Sequence, residues 1–551
     1  VKHKQASVKQ IRQVAQEHFG YEELRPGQKE ALQATLAGHD TLAVMPTGSG
    51  KSAIYQVAGL ILSGPTVVVS PLIALQRDQI EALEAQQAGG AAVVNSTLRA
   101  AEREEALEGI EQDKLEFLFL APEQFGNPQV MERLRASPPS LFVVDEAHCV
   151  SEWGHDFRPD YLRLGAVIEE LGHPRILALT ATASPLVRDE IVQRLGMRDP
   201  RVLVRGYDRP NIWLGVERFT DEHAKQRALL ERVEESEKPG IIYAATKKHA
   251  EEVAAALAER GIQARFYHAG MRPAEREEVH QAFMADELEV IVATTAFGMG
   301  IDKPNVRFVF HHDIPGSLDA YYQEIGRAGR DGEPALATLF YRPEDLHIQR
   351  FFAGGGQVDT DQVEQVVRLI REHEEPITAK ELKEEMDLSQ SKLTTALSRL
   401  EDVGAIEIQV NGEVIPTDEL SDASAAAQEA MEAQERHHRF QQSRIAMMRG
   451  YAEVHDCRRE YLLNYFGEPF DDPCYHCDNC DAGRTITEDA GDYPFPLNSR
   501  VTHESWGGGM VMRYEGDKLT VLFDDVGYKT LALDIVLESA LLQPEGSPPG
   551  E

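Results

Sequence analysis

Thr41-Leu42-Ala43-Val44-Met45-Pro46-Thr47-Gly48-Ser49-Gly50-Lys51-Ser52 is the stretch that decides the fold. Thr41 to Met45 is a short apolar run that reads as a strand, Pro46 to Gly50 is a turn of small residues, and a helical pattern starts at Ala53. Strand, glycine turn, Lys-Ser and helix in this order make a phosphate cradle. Glycines let backbone N–H groups close around phosphate oxygens, Lys51 reaches the outer phosphates, and Ser52 offers a hydroxyl to Mg²⁺. Thr47, Gly48, Ser49 and Gly50 are the candidate cradle residues. The run is slightly shorter than the full phosphate-loop pattern, but its Gly-Ser-Gly-Lys-Ser core is complete.

The partner to this loop is Leu141-Phe-Val-Val144 followed by Asp145-Glu146. A continuously apolar run matches a strand of a parallel sheet covered on both faces, which argues against an acidic pair at a surface strand end. Asp145 is then the candidate Mg²⁺ ligand, and Glu146 the group that orients or deprotonates water. Thr66–Val69, Phe117–Leu120 and Ile176–Leu179 fit the same sheet, and Thr180-Ala181-Thr182 follows the last. Past Glu146 the chain runs at once into Ser151-Glu-Trp-Gly-His-Asp-Phe-Arg-Pro-Asp-Tyr161. Aromatic faces stack on bases and arginine takes phosphate, so nucleotide and strand chemistry meet in one loop.

After about Arg209 the pattern restarts. Gly240–Tyr243, Ala264–Tyr267, Val290–Ala293 and Phe308–Phe310 read as strands of a second sheet without a phosphate loop. This half carries Gln323-Glu-Ile-Gly-Arg327-Ala-Gly-Arg330 instead, read as two arginines on one side of a helical turn. Arginine forks onto phosphate, and supplied from a second domain it would tie hydrolysis to domain closure.

Bulk properties bound the reading. The 551 residues suffice for three to five domains, the apolar share of 42% is ordinary, and no run reaches membrane-spanning length. Val1-Lys-His-Lys4 is followed by no apolar signal core, so the expectation is a cytoplasmic, nucleoid-associated protein without membrane contact. The net charge of -36 runs against the basic balance usual for nucleic-acid binders. Part of it sits in one segment: Glu401 to Glu435 holds ten acids and no Lys or Arg, a solvated face or linker. Adaptation to salt is the alternative account. Of five cysteines, Cys457, Cys474, Cys477 and Cys480 cluster, and in a cytosolic chain such a cluster is a metal site before it is a disulfide pair. Four thiolates suit tetrahedral Zn²⁺ in a closed structural site.

The motif order resembles a superfamily 2 helicase and, more narrowly, the RecQ family, over roughly residues 10–350 and again over about 436–482. Phe19-Gly20-Tyr21 with Leu24-Arg25-Pro26-Gly27-Gln28 is similar to the family's adenine-reading motif, which implies that Tyr21 stacks on the base with Arg25 near it and that Gln28 bonds the adenine edge. Pro71–Leu75 with Asp78-Gln79, Ala121-Pro122-Glu123, Tyr267-His268-Ala269-Gly270 and Thr294–Asp302 resemble strand-gripping motifs. Thr180-Ala181-Thr182 resembles the motif that couples hydrolysis to motion. Ser151 to Tyr161 resembles the aromatic-rich loop that sets RecQ helicases apart from DEAD-box RNA helicases; the resemblance puts Trp153, His155, Phe157 and Arg158 on single-stranded DNA. It makes Arg330 the arginine finger, with Arg327 and Gln323 beside the γ-phosphate. Cys457 to Gly467 resembles the family's zinc subdomain.

Between these blocks the chain departs from the family. Gly354-Gly-Gly356 reads as a flexible joint. Helical patterns at Val363, Ile377 and Ser389, then Gly404–Val410, Asn411-Gly412 and Glu413–Ile415 as a hairpin, look like a winged helix placed before the metal site, where the family usually has it after. Its third helix offers Lys392, Thr394, Thr395, Ser398 and Arg399 as a groove face, against a protein-docking alternative. At the C-terminus, alternating runs around glycine turns look like a small SH3- or Tudor-like barrel that docks a protein partner.

The expected fold is α/β multidomain: RecA-like domains at 1–208 and 209–353, a winged helix at 357–420, a zinc subdomain at 421–482, a linker at 483–498 and a barrel at 499–551. The expected function is a monomeric 3′→5′ DNA helicase using ATP and Mg²⁺, with single-stranded and tailed or branched duplex DNA as partners in repair or recombination. The rivals are an RNA helicase, a translocase that does not unwind, and a non-enzymatic scaffold; the Lys51, Asp145, Glu146 and Arg330 set speaks against the last.

Overall fold

The computed structural model describes residues 8–25, 27–95, 98–112, 114–154, 156–298, 300–373, 375–417, 422–470, 473–484 and 493–545. Pro26, His155, Met299, the acids Asp418 and Glu419, and residues 485–492 of the expected linker lie outside them. The chain divides into two compact units, the first of residues up to Arg205 with Gly355–His437, the second of Gly206–Gly354 with residues from His438 onward.

The first unit is built on a seven-stranded, all-parallel sheet. Its strands are β1 (Thr41–Val44), β2 (Thr66–Val69), β3 (Ala91–Val94), β4 (Phe117–Leu120), β5 (Leu141–Val144), β6 (Arg175–Thr180) and β7 (Arg201–Val204), in the order β3-β4-β2-β5-β6-β1-β7. Every residue of β1, β2, β4 and β5 is buried, as helices on both faces require. The order sets β6 between β1 and β5, so the loops after these three strands leave one edge side by side. In open α/β sheets that carboxyl edge is where ligands sit.

The rest of this unit is a three-helix module with a three-stranded antiparallel sheet, β14 (Ile377–Thr378), β15 (Ile406–Ile408) and β16 (Glu413–Pro416), in the order β14-β16-β15. Helix Thr360–Glu372 starts at a capping box on Asp359 and helix Ala379–Glu385 at one on Thr378. Val363, Val367, Leu382, Leu393, Leu397 and Leu400 form the core, and Ala426, Ala427 and Ala430 of the long helix Ala423–Glu453 are buried in it. The winged-helix pattern is thus present, and the start of that long helix completes it.

The second unit has a six-stranded parallel sheet of β8 (Ile212–Arg218), β9 (Gly240–Tyr243), β10 (Ala264–Tyr267), β11 (Val290–Ala293), β12 (Phe308–His311) and β13 (Ala335–Tyr341), ordered β10-β11-β9-β12-β13-β8. The segment that carries the four clustered cysteines is joined to it by buried polar contacts. Arg444 pairs with Asp319 at 3.0 Å, Tyr465 donates to the same carboxylate at 2.6 Å, and Arg459 donates to the Ile212 carbonyl at 2.7 Å.

The C-terminal strands β17 (Arg500–His503), β18 (Gly507–Glu515), β19 (Lys518–Phe523), β20 (Gly527–Ala532) and β21 (Leu542–Pro544) form one antiparallel sheet, ordered β20-β19-β18-β17-β21, around Val501, Val511, Leu519, Val521 and Phe523. Part of it packs on its own chain. Tyr528 stacks on Tyr465 with centroids 5.0 Å apart, its N–H donates to Ser443 Oγ, and the Arg513 guanidinium lies 3.8 Å above the Tyr461 ring. Among the described residues no helix is long and apolar enough to cross a membrane.

Candidate active site and metal centre

The glycine loop leaves β1 and ends at Ser52, the first residue of helix Ser52–Ile61, whose N-terminus favours anions. Gly48 and Gly50 have φ of 77° and 75°, the left-handed region that glycine adopts at least cost. A side chain at Gly50 would also have to displace the Gln28 amide, since its Cβ would lie 2.7 Å from Gln28 Nε2. That amide donates to the Ser49 and Gly50 carbonyls at 2.8 and 2.9 Å, its oxygen accepts from Arg25 N–H at 2.9 Å, and Arg25 Nη1 donates to the Gly48 carbonyl at 2.7 Å. Arg25 and Gln28, expected near an adenine, therefore also brace the loop that would hold the phosphates. Tyr21 is half-buried and stacks on Phe19, centroids 5.8 Å apart; burial raises its phenol pKa, with Arg25 opposing. Lys51 Nζ donates to the Met45 and Pro46 carbonyls at 3.2 and 3.4 Å. Thr47 is half-buried, and Ser49 Oγ is buried without a hydrogen-bond partner, a polar atom that a phosphate oxygen would satisfy.

Asp145 and Glu146 follow β5 directly. Burial pushes the Asp145 carboxyl up to about 7, the Glu146 charge adds to this, and Lys51 and the Glu146 N–H pull it down. Two adjacent acids in such a setting call for a cation, which fits a divalent ion held by Asp145 and Ser52. Glu146 is held at φ 49°, in the left-handed region disfavoured for a residue with a Cβ. Strain of this kind gathers at functional sites. Its Oε2 lies 3.4 Å from His148 Nδ1, which in turn lies 2.9 Å from Thr180 Oγ1, and Thr180 Oγ1 donates to the Thr182 carbonyl at 3.1 Å. His148 thus joins the acid pair to the Thr180-Ala-Thr182 segment. No motif in the sequence singles out His148, because the signal for a role is Thr180, 32 residues away.

The aromatic loop begins in the interior. Ser151 and Glu152 are buried, whereas Trp153, Phe157 and Arg158 are half-buried, so Trp153 and Phe157 are not core residues. Gly154 returns the backbone to His148: a Cβ there would lie 2.4 Å from the His148 carbonyl oxygen. Arg158 donates to the Pro71 carbonyl at 2.9 Å and to Asp156 at 3.2 Å, tying the loop to the segment after β2.

In the second unit Gln323 lies in helix Leu318–Ile325, but the arginines do not share its helical turn. Gly326 caps the helix and Gly329, at φ 54°, turns the chain, so Arg327 and Arg330 sit in the turns that follow. Arg209 holds these turns through the Gly326, Ala328 and Gly329 carbonyls at 3.1, 2.8 and 2.9 Å. Arg327 is buried, and Arg330 Nη1 meets Asp302 at 2.6 Å; burial pulls the Arg330 pKa down, against the Asp302 charge.

The Sγ atoms of Cys457, Cys474, Cys477 and Cys480 all lie within 4.8 Å of one another, with Cys474 and Cys480 at 3.7 Å. Thiolates around a tetrahedral Zn²⁺ sit about 3.8 Å apart, given bonds of about 2.3 Å. The donor set fits zinc. His476 contributes backbone only, donating to Cys474 Sγ and accepting from Leu214 N–H, both at 3.4 Å.

Three family models match the chain: DEAD/DEAH box helicase over residues 25–190, helicase conserved C-terminal domain over 224–332, and RecQ zinc-binding over 418–481. The chain is 36% identical over 488 residues to a probable ATP-dependent DNA helicase RecS of Bacillus subtilis, covering 88% of this chain and 94% of that one. It is also 36% identical over 463 residues to the ATP-dependent DNA helicase RecQ of Pasteurella multocida, covering 84% of this chain and 61% of that one. Among solved structures, Mycobacterium smegmatis helicase Lhr bound to ssDNA and AMP-PNP shares the fold, with a TM-score of 0.51 at 18% identity over 79% of this chain and 62% of that one. The DUF1998 helicase MrfA bound to DNA does so at 0.52 and 17% identity, over 76% and 63%.

Proposed function

Because the chain belongs to the RecQ family of helicases, we propose that it is an ATP-dependent DNA helicase that moves 3′→5′ on a single strand and separates duplex DNA in repair or recombination. The observation that carries this reading is the half-buried Asp145–Glu146 pair beside Lys51, joined through His148 to Thr180 and followed within seven residues by the half-buried Trp153.

Tyr21, Arg25 and Gln28 take the adenine side of ATP. The Thr47–Gly50 backbone and Lys51 take the phosphates, and Ser52 and Asp145 hold Mg²⁺. Bound Mg²⁺ supplies positive charge to the phosphate oxygens as negative charge develops on them. Glu146 accepts the proton of the attacking water, and Arg330, with Arg327 and Gln323, supplies the positive charge for the γ-phosphate. Trp153, His155, Phe157 and Arg158 meet single-stranded DNA, and because Gly154 rests on the His148 carbonyl, a base on this loop acts on the group that contacts Glu146. Cys457, Cys474, Cys477 and Cys480 hold a structural Zn²⁺, which contributes to folding rather than to catalysis.

Strand displacement on matched 3′-tailed, 5′-tailed and blunt DNA duplexes, and on RNA duplexes, tests the reading. Unwinding of the 3′-tailed DNA alone is expected, with loss of about 10³-fold or more in ATP turnover for Glu146→Gln. Preference for RNA, or ATPase without displacement of any strand, would overturn it.

A further inference from the structure

The third helix of the winged-helix module, Gln390–Asp402, is the element that such modules lay in a DNA groove. Here its last turn faces protein. Ser398 donates to Glu152 Oε1 at 2.7 Å, and Arg399 pairs with Glu152 Oε2 and with Asp402. Glu152 is 3% exposed and Arg399 7%. The network continues into helix Pro185–Arg194. Arg194 meets Glu190 at 2.6 Å, Asp402 at 3.2 Å and Glu152 at 3.7 Å, while Glu190 accepts from Ser151 Oγ and from Glu152 N–H. The hairpin follows the same course. A Cβ on Gly126, after β4, would lie 3.6 Å from the Val410 carbonyl, and one on Gly412 would lie 3.3 Å from Arg163. Next to Glu152, the Trp153 ring lies 5.7 Å from that of His437, tilted 30°.

Glu152, the second residue of the aromatic loop, is therefore gripped from the winged-helix side by one hydroxyl and one guanidinium, while Ser151 is held by Glu190. We propose that the winged-helix module positions the aromatic loop, with Ser398 and Arg399 acting through Glu152 as positioning residues for the DNA dependence of the ATPase, and does not read duplex grooves with this helix. The physical reason is the balance of the cluster. Glu152, Glu190 and Asp402 already outnumber the two guanidinium groups that face them, so removing Arg399 strands a further carboxylate at Glu152, the residue from which Trp153 follows. Trp153 then loses its fixed presentation while Lys51, Asp145 and Glu146 keep theirs. The inference rests on the reading above that this loop senses single-stranded DNA.

The test is ATPase activity of the full chain titrated with a single-stranded oligothymidylate, beside nucleotide-free binding of a tailed duplex. Arg399→Ala is expected to raise the half-saturating DNA concentration about tenfold, with the DNA-free rate, the KM for ATP and the duplex affinity each within about twofold. Ser398→Ala shifts it the same way by about threefold, since one neutral hydrogen bond is lost. Adding Glu152→Gln to Arg399→Ala removes the stranded charge and recovers most of the loss, a rescue that general destabilisation does not give. The inference is overturned if Arg399→Ala unfolds at the wild-type temperature yet keeps the wild-type half-saturation, or if it loses duplex affinity instead. Should Arg399→Ala fail to fold, Ser398→Ala decides by the same criterion. Trp153→Ala separates the two readings: normal stimulation in that variant sinks the DNA-sensing role itself, whereas weak stimulation there with normal behaviour in Ser398→Ala and Arg399→Ala sinks only the positioning role.

Discussion

The two parallel sheets share an architecture and differ in how each presents charge. In the first, β5 runs straight into Asp145 and Glu146, so the strand itself delivers the acids to the carboxyl edge beside Lys51. In the second, the charged groups come from the crossover between β12 and β13, after helix Leu318–Ile325 has ended. Gly329 N–H donates to the Val306 carbonyl at 2.8 Å and Asp331 N–H to the Pro304 carbonyl at 3.2 Å, which pins the arginine turns ahead of β12. A strand end fixes a carboxylate rigidly, and a turn leaves a guanidinium able to change partners. The Arg330 partner has that character: Asp302 is 80% exposed, so water can take its place beside the carboxylate when Arg330 changes partner. One sheet holds acids that need cations, and the other holds a cation with a replaceable acid.

Arg330→Ala is the sharpest attempt to break this division. Turnover with saturating DNA should fall by about 10²–10³-fold while ATP affinity changes little, and Arg330→Lys should not rescue it. Wild-type turnover in Arg330→Ala, measured by phosphate release, would mean that the second sheet contributes no charge to the reaction. A smaller effect, on stability, separates the units by their supports. Chelation, or Cys477→Ser, should lower the unfolding temperature of the second unit and leave the first unit's transition in place, as two-step calorimetry would resolve. A single lowered transition would mean that the metal supports both.

The smallest effect is on pH dependence in the first unit. Burial raises the Glu401 carboxyl to about 7, Asp402 adds to this, and the Ile408 N–H, Arg194 and Arg163 oppose it. A folded value above the ordinary one makes this contribution complete below about pH 4.5. It is lost as pH rises toward 7, because the unfolded chain releases the proton first. The first unit should weaken by on the order of 1–2 kcal/mol across that window, and Glu401→Gln should flatten the profile. Stability rising over the same window would reverse the sign assigned to Glu401.

Legibility in the sequence followed burial. β2, β4, β5, β9 and β11 have the bounds read from their apolar runs, since a strand covered on both faces leaves an uninterrupted signal, and β10, an edge strand, keeps its bounds through its aromatic residues Phe266 and Tyr267. β13 was missed although buried, because Ala335-Leu-Ala-Thr-Leu is composed as well for a helix as for a strand. β7 was missed because its residues are exposed or half-buried, as befits an edge. The four cysteines were legible from spacing alone and do converge. Neither the His148–Thr180 contact nor the Glu152–Arg399 pair was legible. Each joins residues whose partner is set by packing, and Glu152 and Arg399 are 247 residues apart.

β8 is an outer strand of the second sheet, and outer strands present unpaired N–H and C=O groups to any other extended chain. The cysteine loop lies along it. Cys477 pairs with Leu214 as a single parallel bridge, Val216 N–H donates to Asp478 at 3.2 Å, and Trp213 Nε1 donates to Asp481 at 2.8 Å. The cysteine loop therefore works as a sheath over an edge that would otherwise be open to pairing. The damage done by metal loss would then be self-association through β8, rising with protein concentration, as much as unfolding of the loop itself.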